Sequence, residues 1–389
     1  MLIWAVVLLM SLGIILLAAE LFTNGVEWIG YRLHLGQGVV GSILAAVGTA
    51  MPETLIPVVA IIFSGEAAAN EVGIGAILGA PFMLATLAMF VVGIAILGYS
   101  RSGRRLSVVE ANANALSRDI SFFLGAYAVA VLAGFVDLVW LKWLIAIALV
   151  AAYIVYVLRH FADEAEHGSE PNRLHTTHWL PRGHAHIAGR PLEHIVHHYF
   201  ADHPLFGHRM KAEQNSDPDE SRSPESITPL YFLGKTVPRL RMCLGQVVVA
   251  LMLIVLGAHF FVQAVQHVSV SLGIPALILS LIVAPVATEL PEKFNSVLWV
   301  RVRKDTLAMG NITGAMVFQS CIPTAFGIAF THWAIGGSVP ALTSAATALV
   351  SAAVIFGISR LRGHLSAGVL LIGGLFYVAY LAYLFLVVI

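Results

Sequence analysis

The sequence predicts an all-α polytopic membrane protein, with ten transmembrane helices arranged as two inverted five-helix repeats. Three observations carry this expectation. The chain is 58% hydrophobic and 11% charged over 389 residues, with a mean hydropathy of +0.85, which no ordinary soluble domain shows. Apolar runs of bilayer-crossing length recur in two sets of five. A short acidic motif also occurs twice, as Gly48-Thr49-Ala50-Met51-Pro52-Glu53 and as Ala287-Thr288-Glu289-Leu290-Pro291-Glu292.

The first set of runs falls at about 2–22, 38–63, 72–98, 120–138 and 140–158. The first of these, Leu2 to Phe22, lacks a positive leader and a small-residue cleavage site, and is expected to be a retained helix and not a signal peptide. The second set falls at about 243–266, 275–300, 306–330, 338–358 and 365–389. An odd number of helices per set makes the second set enter the membrane from the opposite side, hence an inverted repeat. The expected organisation is a first repeat over 1–158, a linker over 159–241 and a second repeat over 242–389.

The distribution of basic residues gives the expected orientation. With both termini outside, Arg32, then Arg101, Arg104, Arg105 and Arg118, then Arg301, Arg303 and Lys304, then Arg360 and Arg362 fall in cytoplasmic loops. Lys142 alone falls in an external one. The 159–241 linker is then cytoplasmic, and the plasma (inner) membrane is the expected location. The linker holds eleven of the sixteen histidines together with prolines and mixed charge, a composition expected to be largely disordered. Within it, Leu192, Ile195, Val196, Tyr199 and Phe200 have the spacing of an amphipathic helix resting on the membrane surface. Its histidines have two readings, a metal sensor or a solvated segment with pH-dependent charge, and no regular ligand spacing supports the first.

The net charge is zero, so nothing points to nucleic acid. Cys243 and Cys321 have no paired spacing and are expected to pack in the core.

The repeated motif carries the chemistry. A carboxylate inside an apolar helix costs several kcal/mol by order of magnitude and marks a functional position. Proline cannot donate to the carbonyl four residues back, so Pro52 releases that of Gly48 and Pro291 that of Ala287. Such oxygens survive in a membrane only where they are buried or line a cavity. Together with the hydroxyls of Thr49 and Thr288 and the carboxylates of Glu53 and Glu292, they make an oxygen-rich set suited to hard cations such as Ca²⁺ or Na⁺. The competing reading is a pair of proline kinks with hydrogen-bonded glutamates. In the second motif, Glu289 and Lys293 stand at i, i+4 with the acid first, the favourable order for an ion pair. That pairing leaves Glu53 and Glu292 with a charge near −2, matching one divalent or two monovalent cations.

A small-residue run follows each motif: Gly75-Ala76-Ile77-Leu78-Gly79-Ala80-Pro81-Phe82, and Gly310-Asn311-Ile312-Thr313-Gly314-Ala315-Met316-Val317-Phe318. Glycines at i and i+4 serve close helix packing or the site itself. Asn311, an amide in an apolar helix, is expected to be a ligand or to support the site.

With these two paired signatures over 44–86 and 281–322, the chain resembles the cation/calcium exchanger superfamily, and most closely prokaryotic sodium/calcium exchangers. The resemblance implies alternating-access antiport, Glu53 and Glu292 as Ca²⁺ ligands, and Thr49 and Thr288 as oxygen donors. It implies transported Ca²⁺ and Na⁺ (or H⁺), no resident cofactor, and membrane lipid and inorganic cations as partners. The chain departs from the family pattern at Ala50 and Glu289, where Ser is common, and at Pro81 and Met316, where Asn or Asp is common. Exchange of Ca²⁺ for Na⁺ is the first reading, and H⁺-coupled antiport is the alternative. A heavy-metal carrier is a third reading, but His259 and His267, its only ligands within helices, are wrongly spaced to join the glutamates. An enzyme is not expected, since there is no His-Glu-x-x-His motif and no Asp pair in the apolar runs.

Overall fold

The computed structural model describes residues 1–32, 50–63, 67–101, 107–111, 113–163, 240–301 and 303–388. Their secondary structure is helical apart from one isolated bridge, Val108 with Ser366. The amphipathic segment at 192–200 and nearly all of the linker lie outside the described residues, as do Gly48 and Thr49.

The first half supplies α1 (Leu2–Arg32), α2 (Met51–Val58), α3 (Ala67–Met83), α4 (Met89–Arg101), α5 (Ala113–Leu132) and α6 (Val139–Asp163). The second half supplies α7 (Leu240–Leu272), α8 (Ala276–Thr288), α9 (Leu290–Arg301), α10 (Asp305–Phe330), α11 (Val339–Arg362), α12 (Ala367–Leu370) and α13 (Ile372–Tyr383). Five-residue π-helical turns extend α2 over Val59–Phe63, join α3 to α4 over Leu84–Ala88 and extend α13 over Leu384–Val388. Among the described residues, eight helices are long and apolar enough to cross a membrane. The two motif-bearing runs give shorter apolar helices, Pro52–Phe63 and Ala276–Val286.

Helix ends follow local chemistry. α7 stops in a Schellman turn: Ile274 N–H donates to the Ser269 carbonyl at 3.1 Å, Gly273 N–H donates to Val270 at 3.3 Å, and Gly273 takes a φ of 69° that a side chain would strain. Pro275 follows and opens α8, where a missing N–H costs nothing.

Several boundaries differ from the sequence expectation: α1 runs to Arg32 and not to 22, which takes Arg32 into the helix, and α7 spans Leu240–Leu272 and not 243–266. α6 runs to Asp163, five residues into the expected linker. α5 starts at Ala113 and not near 120, which carries Arg118 and Asp119 into the helix. Arg118 is therefore not a loop residue. Hydropathy excludes both because it scores each charge singly, whereas here they pair, with Arg118 Nε 3.6 Å from Asp119 Oδ1.

The two halves interleave. α1 lies along α7, α3 against α8, α4 against α9, and both α5 and α6 against α10. The α3–α8 seam is close: a Cβ on Gly75 would strike the Leu277 carbonyl and one on Gly79 the Leu281 carbonyl, while Ser280 Oγ donates to Val72 O at 2.7 Å. Loops interlock as well. At one end of the bundle Val109 N–H donates to Leu365 O and Ala367 N–H to Ser107 O, both at 2.9 Å. At the other, fully buried Trp333 donates its indole N–H to Ala130 O at 2.9 Å, and Lys142 Nζ donates to His332 O. Cys243 and Cys321 are free and buried, as expected of packing residues.

Candidate functional site

Both acidic motifs sit at the start of a helix. Met51, Pro52 and Glu53 are the first three residues of α2, and Leu290, Pro291 and Glu292 the first three of α9. The apolar run at 275–300 is thus two helices, broken at Glu289, and not one kinked helix. Proline favours the first turn, where its missing N–H is one of the unsatisfied donors anyway. The same turn carries the positive end of the helix dipole, which favours a carboxylate. The backbone repeats in detail: Thr54 N–H donates to Ala50 O at 3.2 Å, and Lys293 N–H donates to Glu289 O at 3.1 Å.

The side chains do not repeat. Glu53 is buried at 5% exposure on α2, which packs against α3, α8 and α10. One turn on, Thr54 Oγ1 donates to Ala50 O at 2.9 Å, a neutral local bond. In the second motif, the residues at those positions are Glu289 and Lys293, and they form the expected ion pair, Nζ to Oε2 at 3.1 Å, with both side chains buried. Thr288 is buried, and its hydroxyl proton goes to Ala284 O at 3.0 Å, which leaves its oxygen lone pairs to accept. The Glu292, Pro291 and Ala287 side chains are outside the described residues. Among the described side chains, no three His, Cys, Asp or Glu groups converge on one point.

Asn311 on α10 donates to Ser296 Oγ on α9 at 3.3 Å, and Ser296 Oγ donates to Ala308 O at 3.1 Å. Ser296 is one turn beyond Glu292, so Asn311 braces the helix that starts with that glutamate. The glycine signatures differ between halves. Gly75 and Gly79 close the α3–α8 seam, whereas a Cβ at Gly310 or Gly314 meets no described atom within 4 Å. His259 faces Gln263 on α7 at 3.1 Å, and His267 stacks on Trp4 of α1 with ring centroids 3.9 Å apart, so both histidines are engaged by neighbours.

Asp119 escapes sequence reasoning. It is 3% exposed in α5 and accepts from Tyr156 Oη of α6 at 2.7 Å and from Thr313 Oγ1 of α10 at 2.8 Å. At 1.5 Å per residue, Asp119 lies about 9 Å from the start of α5, Tyr156 about 10 Å from the end of α6 and Thr313 about 12 Å from the start of α10. These are adjoining ends at matched depth. α10 is therefore held on one side by Asn311 to α9, and on another by Thr313 to α5 and α6.

Carboxylates at the starts of two helices within a bundle of bilayer-length apolar helices mark an ion or substrate pathway, the class of membrane transporters. The sodium/calcium exchanger protein family model matches residues 3–162 and 242–389, and the chain belongs to that family. Its fold is similar to that of a crystal structure of the H⁺/Ca²⁺ exchanger CAX, at 14% identity with 98% of this chain and 82% of that chain covered and a TM-score of 0.63. It is also similar to the sodium-calcium exchanger NCX_Mj soaked with 10 mM Na⁺ and zero Ca²⁺, at 17% identity, 99% and 100% coverage and a TM-score of 0.52. No curated protein sequence matches it. The chain is an integral membrane protein of a cation/Ca²⁺ antiporter family.

Proposed function

We propose that the protein exchanges Ca²⁺ for Na⁺ by alternating access, with Glu53 and Glu292 as the shared carboxylates. The observation that carries this reading is their matched position, each the third residue of a helix that starts inside an apolar run. There the helix dipole and released carbonyls favour an anion beside a cation. Thr288 and Thr49 supply hydroxyl oxygens, Gly48 and Ala287 supply backbone oxygens, and Pro52 and Pro291 keep the turns open. Na⁺ on these oxygens lowers Ca²⁺ affinity by competition, which is the coupling. The closely paired α1 and α7 move to expose the site to alternate sides.

In this reading the chain crosses the membrane ten times, as inverted repeats over 1–158 and 242–389 about the 159–241 linker; the eight long apolar helices and the two shorter ones support it. The positive-inside bias supports both termini outside and the linker in the cytoplasm, and the membrane in this reading is the plasma (inner) membrane. H⁺ coupling is a second reading, favoured by Glu289 and Lys293 at positions where the other motif has Ala50 and Thr54. A heavy-metal carrier loses support because His259 and His267 engage Gln263 and Trp4.

The test is ⁴⁵Ca²⁺ uptake into vesicles holding the full chain under an imposed Na⁺ or H⁺ gradient. Gradient-driven uptake that Glu53→Gln and Glu292→Gln each abolish is the expected result. Uptake untouched by both substitutions overturns the site, and no uptake under either gradient overturns the function.

A further inference from the structure

The Glu289–Lys293 pair has a control built into the same chain. Ala50 and Thr54 occupy the same two motif positions, the backbone bond between them is also made, and α2 also starts with Pro at its second residue. The helix start forms there with no charge at those two positions, so the helix start does not require the ion pair. Nor does stability account for it. Replacing a buried ion pair with apolar groups is often neutral or stabilising, because desolvation consumes the Coulombic gain.

What the pair does provide is one positive charge that cannot leave. Lys293 directly follows Glu292 in α9, and its ammonium is 3.1 Å from Glu289 in a buried setting. Without it, the two motifs together carry three carboxylates, Glu53, Glu289 and Glu292; with it, their summed charge is that of two. A low-dielectric site needs its charge balanced in every state it passes through. A third carboxylate with no lysine would be balanced by one more monovalent ion, bound and released in each cycle.

Resting on the antiporter reading above, we infer that Lys293 is a resident cation: its ammonium takes, on Glu289, the place of one monovalent coupling ion, so each Ca²⁺ is exchanged against one coupling ion fewer.

The inference fixes an equilibrium quantity and not only a rate. At zero membrane potential the Ca²⁺ ratio across the membrane settles at the coupling-ion ratio raised to the number of coupling ions per Ca²⁺. Across a tenfold gradient, one additional ion per cycle raises the Ca²⁺ plateau about tenfold. The experiment uses vesicles with the potential clamped at zero and a tenfold gradient of whichever ion, Na⁺ or H⁺, drives uptake by the native chain. Lys293→Met is expected to reach a plateau about tenfold above native, and Glu289→Gln/Lys293→Met, with both charges gone, to return to the native plateau. An unchanged Lys293→Met plateau, whatever its rate, overturns the inference. If Lys293→Met carries no flux, the coupling ions displaced per Ca²⁺ bound to purified protein are counted: one more than native supports the inference, and an equal count overturns it. A native chain that fails to accumulate Ca²⁺ in either gradient sinks the antiporter reading, and this inference with it.

Discussion

The Asp119 cluster makes a quantitative prediction about what joins the halves. Thr313→Val removes the hydroxyl that reaches Asp119 Oδ2 at 2.8 Å and keeps the shape of the side chain. Asp119→Ala removes that acceptor and also the one for Tyr156 at 2.7 Å, leaving the buried Thr313 hydroxyl, the part-buried Tyr156 hydroxyl and the Arg118 charge without that carboxylate. Interhelical hydrogen bonds in membrane proteins average about 0.6 kcal/mol and reach about 1.7. Bonds to a charged acceptor belong at the upper end of such a range. Thr313→Val should therefore cost about 1 to 2 kcal/mol, and Asp119→Ala about 3 kcal/mol, since orphaned buried groups add their desolvation. The double variant should cost little more than Asp119→Ala alone, a coupling of about 1 kcal/mol or more. Equilibrium unfolding of the purified protein in mixed micelles measures all three. Single costs that sum to the double within about 0.3 kcal/mol would refute the clasp, whatever their individual size.

In ⁴⁵Ca²⁺ uptake, Lys293→Ala is expected to slow the initial rate, because it strands the buried Glu289 carboxylate, a change that costs on the order of 3–5 kcal/mol. Adding Glu289→Gln should restore part of that rate, and failure of the rescue would mean that the two residues do not neutralise each other. Gly79→Ala forces the α3–α8 seam apart at the Leu281 carbonyl and should destabilise by about 1–3 kcal/mol, whereas Gly314→Ala should stay within about 1 kcal/mol of native. Equal losses in thermal unfolding would show that the second glycine run also closes a helix seam.

The parts of this molecule legible in its sequence are those that depend on neighbours in the chain. The run at 306–330 became Asp305–Phe330, because bilayer-length apolar runs have one economical structure. The Glu289–Lys293 pair was legible for the same reason, since one helical turn brings the two together. Proline signalled an opened turn, but not that Glu53 and Glu292 would each stand third in a new helix. The π-helical turns at 59–63 and 84–88 carry no sequence signature, and their irregular bonds are met from elsewhere: Ala85 O, for example, accepts from Ser351 Oγ at 2.7 Å. Asp119 was hidden because its partners are 37 and 194 residues away, and no window along the chain sees across helices.

The interleaving of the halves also sets an order of assembly. α1 finds its main packing surface on α7, and residues 33–239 separate the two helices. At roughly 5–20 residues per second of synthesis, α1 waits about ten to forty seconds in the lipid before the surface that covers it exists. Neither half can finish its own interior first, since α3 needs α8 and α10 needs α5 and α6. The linker between the halves is thus also a delay, and the bundle closes only when its second half has been made.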